Sequence, residues 1–515
     1  MKKRSFFLAL AVLGSSLTVG MIHAQEAVIY MDSTHQVIQG FGAANILPWR
    51  PDMTAGEIEK AFGTGDGQIG FSLLRLRIPP ETWDFSRNVS TALAAHARGV
   101  KIIASPWSPP ASMKTNGDTE HGGRLFDSCY ADYAAHLKSF VDHMASNSVP
   151  IYAVSVQNEP DVSVDYESCD WNASEMLKFM KENAPSVGTR VFAPESYHFD
   201  RSLSDPILND STAASHTAFI GGHIYGGGLY SYPLAESKGK EVWMTEHLSG
   251  ERNFTNDWSW SMQVATEMNA CLNAGMSAYI WWYIVRYYGP ISDGQYDAYG
   301  VKGTVTKKGY VMSQFARFIR PGFVRVHATY NPQAQIYVTA YKSDTDLIIV
   351  AVNTSSSSTS QRFNIPNLAG GAAAFTPYVT SATVNCQQGG TIPLTTGTFT
   401  TSLESSSITT FVATDFITGT VEGGVVPQTI TLSQNHPNPF NPATSIAYSI
   451  SQSDFVSLKI YDLLGREIQT LVQGYRTAGN YTVTFHPDQL ASGVYVYRLQ
   501  TGNNNSLTRK MLLLR

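Results

Sequence analysis

Two glutamates in this sequence occupy positions where carboxylate chemistry can be built. Glu159 lies just beyond the apolar run 151–157, and Glu246 directly follows the run 241–245. A single glutamate at the end of an apolar run usually just turns into solvent. Two of them, both among polar and aromatic neighbours, indicate a shared site.

A pair of carboxylates suits the hydrolysis of a glycosidic bond. One attacks the anomeric carbon, while the other protonates the leaving oxygen and then deprotonates water. In a retaining enzyme the two carboxyl groups lie roughly 5–5.5 Å apart, so we expect that separation for Glu159 and Glu246. Asn158 is placed to hydrogen-bond the sugar 2-hydroxyl, a contact that strengthens in the transition state.

The elements that must position these residues follow from the alternation of apolar runs with helical periodicity between residues 37 and 320. Such alternation is typical of parallel strands joined by crossover helices. Eight runs are counted, at 37–41, 71–78, 101–107, 151–157, 190–194, 219–224, 241–245 and 278–283. They predict an α/β fold, a (β/α)8 TIM barrel, with an open doubly wound sheet as the competing layout. Glu159 and Glu246 then follow strands four and seven, at the barrel face that carries active sites.

The rest of the chain indicates further domains, since 515 residues are too many for one hydrophobic core. Residues 1–24 combine a basic start with an apolar stretch, which predicts a secretory signal peptide. Residues 321–415 carry alternating strands and Ser/Thr-rich turns, which predict a β-sandwich. We expect a linker at 416–427 and a third module of short strands at 428–515.

Composition narrows the function classes. The net charge of −5 offers no basic patch for nucleic acid or an anionic membrane, and no other apolar run reaches the roughly 20 residues of a membrane span. No metal-ligand spacing is present, so neither a metal nor another cofactor is expected. Cys271 lies in a helical pattern and is predicted to be a small buried residue. Cys129 and Cys169 are either paired or free, because spacing does not determine connectivity.

Six motifs together resemble glycoside hydrolase family 30 over about residues 28 to 415. They are Gly40-Phe41-Gly42, Ser105-Pro106-Trp107-Ser108-Pro109-Pro110, Gln157-Asn158-Glu159-Pro160, His223-Ile224-Tyr225-Gly226, Met244-Thr245-Glu246-His247 and Trp281-Trp282-Tyr283-Ile284. The resemblance implies that Glu159 is the general acid/base and Glu246 the nucleophile.

The same resemblance implies further substrate-binding residues. Tyr225 would hydrogen-bond the nucleophile, and Trp107 and Trp282 would wall the sugar subsite. Trp83, Arg286 and Tyr287 complete the expected set, together with Asn158.

Within that family the chain resembles the β-1,4-xylanases, through residues 238–243 and 308–322. The resemblance implies that a nine-stranded β side domain packs on the barrel and takes one strand from the N-terminal segment. Residues 25–36 and 321–415 would supply it.

Many members of that branch require a glucuronate substituent on xylan, and their pocket places a Tyr, a Ser and an Arg around it. The matching positions here are Leu248, Glu251 and Val285. A carboxylate at Glu251 would repel glucuronate, and the cation is missing. Arg286 is one residue further along, where a strand presents the opposite face, and only a bulge would turn it inward. We therefore expect no dependence on glucuronate.

The C-terminal module resembles a type IX secretion sorting domain. The similarity rests on Asn435-His436-Pro437-Asn438-Pro439-Phe440-Asn441-Pro442, Tyr461-Asp462-Leu463-Leu464-Gly465-Arg466 and Ala491-Ser492-Gly493-Val494-Tyr495. It implies recognition by the export machinery and a secreted or cell-surface location.

Together these observations predict a secreted, retaining, endo-acting xylanase. We expect a monomer whose partners are xylan and the export machinery. Within the enzyme class the alternatives are a glucuronoxylan-specific endoxylanase, a xylobiohydrolase and a β-1,6-glucanase. From another class, the alternative is a non-catalytic carbohydrate-binding surface protein.

Overall fold

The computed structural model describes residues 26–248, 257–296, 300–366, 374–414, 429–441, 443–451, 454–476, 479–485, 487, 490–501 and 506–514. The expected signal peptide (1–24), the expected linker (416–427) and Glu251 lie outside them. All four cysteines are free, so Cys129 and Cys169 do not form the disulfide that their spacing left open.

Eight parallel strands close a barrel in chain order. The preceding strand, β1 (Glu26–Val37), belongs to a separate sheet. The barrel strands are β2 (Gly40–Asn45), β3 (Leu73–Ile78), β4 (Lys101–Pro106), β5 (Ile151–Ser155), β6 (Arg190–Ser196), β7 (Thr217–His223), β8 (Val242–His247) and β9 (Met276–Trp281). Because β9 pairs with β2, the predicted TIM barrel is confirmed and an open sheet is excluded.

The first barrel strand was predicted too early, at residues 37–41. Val37 instead ends β1, where it pairs with Val324. The true strand contains two glycines and two alanines, so its apolar pattern is weak. Gly42 is required there, since a Cβ would lie only 2.2 Å from the Leu73 carbonyl oxygen on the neighbouring strand.

Helices occupy the connections between the barrel strands, and one more helix comes after the last strand. They are α1 (Ala55–Phe62), α2 (Val89–His96), α3 (Tyr130–Ser146), α4 (Ala173–Glu182), α5 (Arg201–Asn209), α6 (Ser211–His216), α7 (Pro233–Ser237), α8 (Trp258–Asn273) and α9 (Lys307–Ala316). Capping boxes begin α1 at Thr54 and α4 at Asn172. Within the described ranges, no helix has the length and apolar character needed to cross a membrane.

The barrel interior is filled by a separate apolar cluster. It comprises Leu73, Ile103, Ala153, Phe192, Phe219, Trp243, Ala278 and Ile280, which come from seven successive strands. Phe219 stacks on Trp243 at 4.0 Å and on Phe192 at 4.6 Å between ring centroids. This packed layer is a rigid floor, so polar residues further along the same strands are held at the carboxyl-terminal mouth.

A ten-stranded sheet, one strand more than the nine expected, is built around β1. The other strands are β10 (Val324–Ala328), β11 (Ile336–Lys342), β12 (Leu347–Asn353), β13 (Thr359–Asn364), β14 (Ala374–Thr380), β15 (Gln387–Gln388), β16 (Ile392–Pro393), β17 (Thr398–Leu403) and β18 (Ser407–Ala413). β1 pairs with β10 and β13. The sheet contacts the barrel helices, for example where Thr410 donates to the Gln314 carbonyl at 2.7 Å. Two of its strands have only two residues, too short for alternation to reveal.

The C-terminal strands form two further sheets around their own core. They are β19 (Thr431–Leu432), β20 (Thr444–Ile450), β21 (Asp454–Tyr461), β22 (Glu467–Arg476), β23 (Gly479–Phe485), β24 (Gly493–Thr501) and β25 (Ser506–Leu513). Their apolar cluster includes Ile446, Val456 and Tyr497.

Candidate active site

Glu159 and Glu246 meet at the carboxyl-terminal mouth of the barrel. Glu159 lies in the loop after β5, the fourth barrel strand, and Glu246 lies near the end of β8, the seventh. Both side chains are buried. One carboxylate oxygen of each lies within 4.8 Å of the other. This proximity fits the roughly 5–5.5 Å spacing of retaining glycosidases and not the roughly 6.5–9.5 Å of inverting ones.

Arg75 lies between the carboxylates and is fully buried. Its Nη1 donates to Glu246 Oε2 at 2.6 Å and its Nη2 to Asn158 Oδ1 at 2.6 Å. Its Nε donates to Glu195 Oε1 at 3.1 Å. One guanidinium therefore fixes the orientation of three side chains, among them Asn158, the predicted contact of the sugar 2-hydroxyl.

Glu195, at the end of β6, is a third buried carboxylate of this cluster. Burial alone would raise the pKa of Glu195, but the charges of Arg75 and His223 overcome that effect and lower it to about 2. Glu195 and Glu159 both have left-handed backbones, with φ of 60° and 46°, which cost energy in residues other than glycine. The Glu195 carbonyl accepts from the Glu159 amide at 3.0 Å and so stabilises this arrangement.

His223, the last residue of β7, bridges two of the carboxylates. Its Nδ1 lies 2.9 Å from Glu159 Oε1, and its Nε2 lies 3.7 Å from Glu195 Oε1. Burial alone would lower the pKa of His223, but the negative charges of Glu246, Glu159 and Glu195 raise it to about 9. The imidazole is therefore a cation at neutral pH, with Nδ1 donating to Glu159.

The pKa of Glu246 is shifted upward, whereas that of Glu195 is shifted downward. Burial raises the pKa of Glu246, the charges of His223 and Arg75 oppose that rise, and Glu159 adds to it. The Tyr225 hydroxyl donates to Glu246 Oε1 at 2.9 Å, which favours the ionised form. This is the hydrogen bond that the sequence resemblance implied.

Aromatic rings flank the carboxylates. Trp107 follows β4 and lies 5.8 Å from the half-buried Trp282 between ring centroids. Trp49, which sequence reasoning did not select, meets Trp107 edge-on at 5.4 Å. The Arg75 guanidinium lies 4.7 Å above the Trp107 ring. Trp107 thus lies beside the carboxylate cluster.

The other three predicted binding residues differ in their surroundings, and Tyr287 belongs to the same apolar cluster as Trp107. Trp83 lies in the short helix that follows β3 and is 70% exposed. Among the described residues, no ring contact or hydrogen bond joins it to a side chain of the site. Tyr287 is buried against Tyr288 and Tyr296. The Arg286 guanidinium lies over the Tyr287 ring and pairs with Asp293.

Two of the three positions that match the glucuronate pocket of related xylanases lie among the described residues. Leu248 and Val285 are half-buried and pack against the apolar core, while Glu251 lies outside the described residues. Arg286 pairs with Asp293 at 3.2 Å, and Arg50 pairs with the same carboxylate at 2.7 Å. Arg286, the cation next to Val285 in the sequence, is therefore paired with a carboxylate that it shares with Arg50.

Two sets of side chains among the described residues bring three possible metal ligands within 4.8 Å of one another. The first is Glu159, His223 and Glu246, and the second is Asp161, His198 and Asp200. A cation in the first set would face the positive charges of His223 and Arg75. That arrangement disfavours a metal between the two glutamates.

Sequence reasoning missed Arg75, Glu195 and His223 as site residues. Arg75 and Arg77 are the two charged residues of the strand Leu73–Ile78, whose other residues are apolar, and charges at such positions were a usable signal. Glu195 follows the apolar run 190–194 much as Glu159 and Glu246 follow theirs, so sequence position alone does not distinguish it from them. His223 was part of a quoted motif without a role.

Comparisons with known proteins agree with this geometry. A family model described as Glycosyl hydrolase family 30 TIM-barrel domain matches residues 60–183, and one described as Secretion system C-terminal sorting domain matches residues 435–513. The chain is 39% identical over 417 residues to Glucuronoxylanase XynC of Bacillus subtilis (strain 168), which covers 79% of this chain and 96% of the relative.

Two solved structures are similar over 76% of this chain and 100% of their own. One is the glycoside hydrolase family 30 subfamily 8 xylanase Xyn30A from Clostridium acetobutylicum, with 37% identity and a TM-score of 0.69. The other is an endoxylanase of the same family from Clostridium papyrosolvens C71, with 38% identity and a TM-score of 0.67.

Removal of the Tyr225 hydroxyl should shift the acid limb of glycoside hydrolysis. In Tyr225→Phe the donor that favours ionised Glu246 is lost, so the pKa of Glu246 rises. Because activity falls as pH drops through that pKa, the acid limb of kcat/KM should move upward by about one pH unit. Tyr152→Phe is the matched control, because Tyr152 lies at the start of β5, at the end of the barrel away from the mouth. An unchanged acid limb in Tyr225→Phe would contradict this electrostatic account.

Proposed function

The chain belongs to glycoside hydrolase family 30, and from that premise we propose that it hydrolyses the β-1,4-linked backbone of xylan at internal bonds, with retention at the anomeric carbon. The observation that carries the proposal is the close approach of Glu159 and Glu246 at the barrel mouth. Relatives named as xylanases support the choice of substrate.

In the first step Glu246 attacks the anomeric carbon and forms a glycosyl ester. Arg75 and Tyr225 each hold one of its carboxylate oxygens, so the attacking group is oriented before substrate arrives. Glu159 gives its proton to the leaving oxygen as the glycosidic bond breaks. Asn158, held by Arg75, binds the sugar 2-hydroxyl.

In the second step Glu159, now ionised, removes a proton from water, and the resulting hydroxide displaces Glu246 from the anomeric carbon. His223 donates to Glu159 Oε1 throughout. Glu195 keeps His223 protonated by facing its other ring nitrogen. The His223–Glu159 pair thus holds a proton next to the leaving oxygen, and Glu195 acts only through His223 and Arg75.

The C-terminal domain adds export to this function. The match to a secretion system sorting domain covers residues 435–513, so the chain is a type IX secretion substrate that is secreted or displayed at the cell surface. A polymer too large to enter the cell is a suitable substrate for an enzyme placed there.

We further propose that glucuronate side groups do not govern where the enzyme cuts. Leu248 and Val285 donate no side-chain hydrogen bond, and Arg286 is paired with Asp293. Burying a glucuronate carboxylate without a partner is costly. The rival is a glucuronoxylan-specific enzyme, favoured by the name of the Bacillus subtilis relative.

Substitution of the two glutamates should give different defects on xylan. Glu246→Gln should abolish turnover, because no other group replaces the nucleophile. Glu159→Ala should lose about 10²- to 10⁴-fold on xylan, but recover with azide or on aryl glycosides whose leaving groups need no proton. Exposed Glu404→Gln is the control. Near-normal xylan hydrolysis by Glu246→Gln would refute the assignment of roles.

A digest of glucuronate-bearing xylan and of linear xylan tests the proposed side-group independence. Mass spectrometry should find unsubstituted oligosaccharides as readily as decorated ones, and both polymers should be hydrolysed at comparable rates. Val285→Arg, which supplies the missing cation, should shift the preference toward decorated xylan. Products that all carry glucuronate at one fixed position, with linear xylan untouched, would establish the rival instead.

A further inference from the structure

We propose that Tyr230 and the recess beside it form a binding site for the leaving-group half of the xylan chain, the sugars that depart after Glu159 donates its proton. The recess lies between the loops that follow β6 and β7 and has a volume of about 710 Å³. This inference rests on the proposed function and extends it to the sugars beyond the scissile bond.

The recess lies on the side of the mouth that carries the acid/base. Asp161, two residues after Glu159, accepts from the Tyr197 amide at 2.9 Å. The Tyr197 carbonyl in turn accepts from the Tyr225 amide at 3.1 Å. The loops that follow β5, β6 and β7 are therefore tied together, and Tyr230 extends the last of them. A leaving oxygen within reach of Glu159 directs the departing sugars over these loops.

Tyr230 is fixed in place although its side chain is 42% exposed. Its hydroxyl donates to the Phe199 carbonyl at 2.9 Å, and the Arg201 guanidinium lies 4.2 Å from its ring centroid. A Cβ on Gly228 would lie 2.6 Å from the His198 carbonyl oxygen, so only glycine lets this loop approach so closely. The exposed ring is held rigid, which reduces the entropy lost on binding.

Arg201 supports the ring from a fixed position of its own. It also lies 4.7 Å from the ring centroid of buried Tyr232, and it donates to the Ser231 carbonyl. The guanidinium is thus held between two tyrosines. It braces one side of Tyr230 through a cation–π contact.

Polar side chains line the edge of the same recess. His198 is exposed, Asp200 is half-buried, and their ligand atoms lie within 4.8 Å of each other. A pyranose offers C–H faces that pack on an aromatic ring and hydroxyl groups around its rim. A fixed tyrosine with hydrogen-bonding groups at its border matches both features.

A second aromatic surface continues from the recess toward the carboxylates. Tyr197 is 36% exposed and stacks on Tyr225, with ring centroids 5.0 Å apart. Tyr225 contacts Glu246 through its hydroxyl. Tyr197 in turn meets the His198 ring edge-on at 6.3 Å, and His198 lines the recess. Rings thus run from the reacting centre to the border of the recess, and several sugars of the leaving chain could pack along them, as cleavage at internal bonds requires.

Tyr230→Ala tests the proposal on xylohexaose labelled at the reducing end. Loss of the ring should lower kcat/KM about 3- to 10-fold. It should also move cleavage toward the reducing end, because binding modes with many sugars on the leaving side lose their advantage. An aryl glycoside of xylobiose, whose leaving group is too short to reach Tyr230, should be hydrolysed at the wild-type rate.

Two variants separate a lost binding surface from a damaged fold. Tyr230→Trp keeps a ring and should retain the wild-type cleavage pattern. Tyr30→Ala removes a tyrosine of similar exposure, 47%, from the side sheet. It should leave the rates on both substrates and the cleavage pattern unchanged. An unchanged cleavage pattern in Tyr230→Ala would overturn the inference, as would an equal loss on the aryl glycoside. If the wild type hydrolyses neither substrate, the proposed function fails as well.

Discussion

The buried charge of Arg75 is the constraint on which the barrel mouth depends. Transfer of an ion out of water costs several kcal/mol, so a fully buried guanidinium requires close carboxylates. Glu195 and Glu246 supply them, and His223 adds a second positive charge between Glu195 and Glu159. Two cations thus face three carboxyl groups, and the cluster is neutral when one carboxyl group carries a proton. In the proposed mechanism this is the resting state from which Glu246 attacks and Glu159 donates a proton.

The strands reach this cluster by breaking their regular alternation. Pairing of β6 with β7 shifts register beside Pro194 and Ser196, and pairing of β8 with β9 shifts between Met244 and His247. Each shift turns a glutamate toward Arg75 that strict alternation would direct elsewhere. The left-handed backbones of Glu159 and Glu195 serve the same end. These distortions cost free energy, and the packing of the aromatic layer below, which includes Phe219 and Trp243, offsets that cost.

The barrel and the two central glutamates could be predicted from the sequence. The number of apolar runs gives the number of strands, and barrel topology brings the ends of those strands together. Glu159 and Glu246 were found in that way. What could not be predicted depends on geometry that alternation does not encode. Glu195 follows an apolar run like the other two glutamates and differs from them in contacting both Arg75 and His223. Strand β2 was misplaced because glycines and alanines weaken its pattern. The pairing of Arg286 with Asp293 depends on how the connection between β9 and α9 folds, which has no periodicity to read.

The central claim is that Glu246, held by Arg75 and Tyr225, forms a covalent bond to the sugar. A 2-deoxy-2-fluoro glycosyl fluoride of xylobiose tests it most directly, because the fluorine slows hydrolysis of the ester and lets it accumulate. Mass spectrometry of the digested protein should find one added glycosyl group, on the peptide that contains Glu246. A label on Glu159 or Glu195 would contradict the account. So would the absence of any label together with an inverted product.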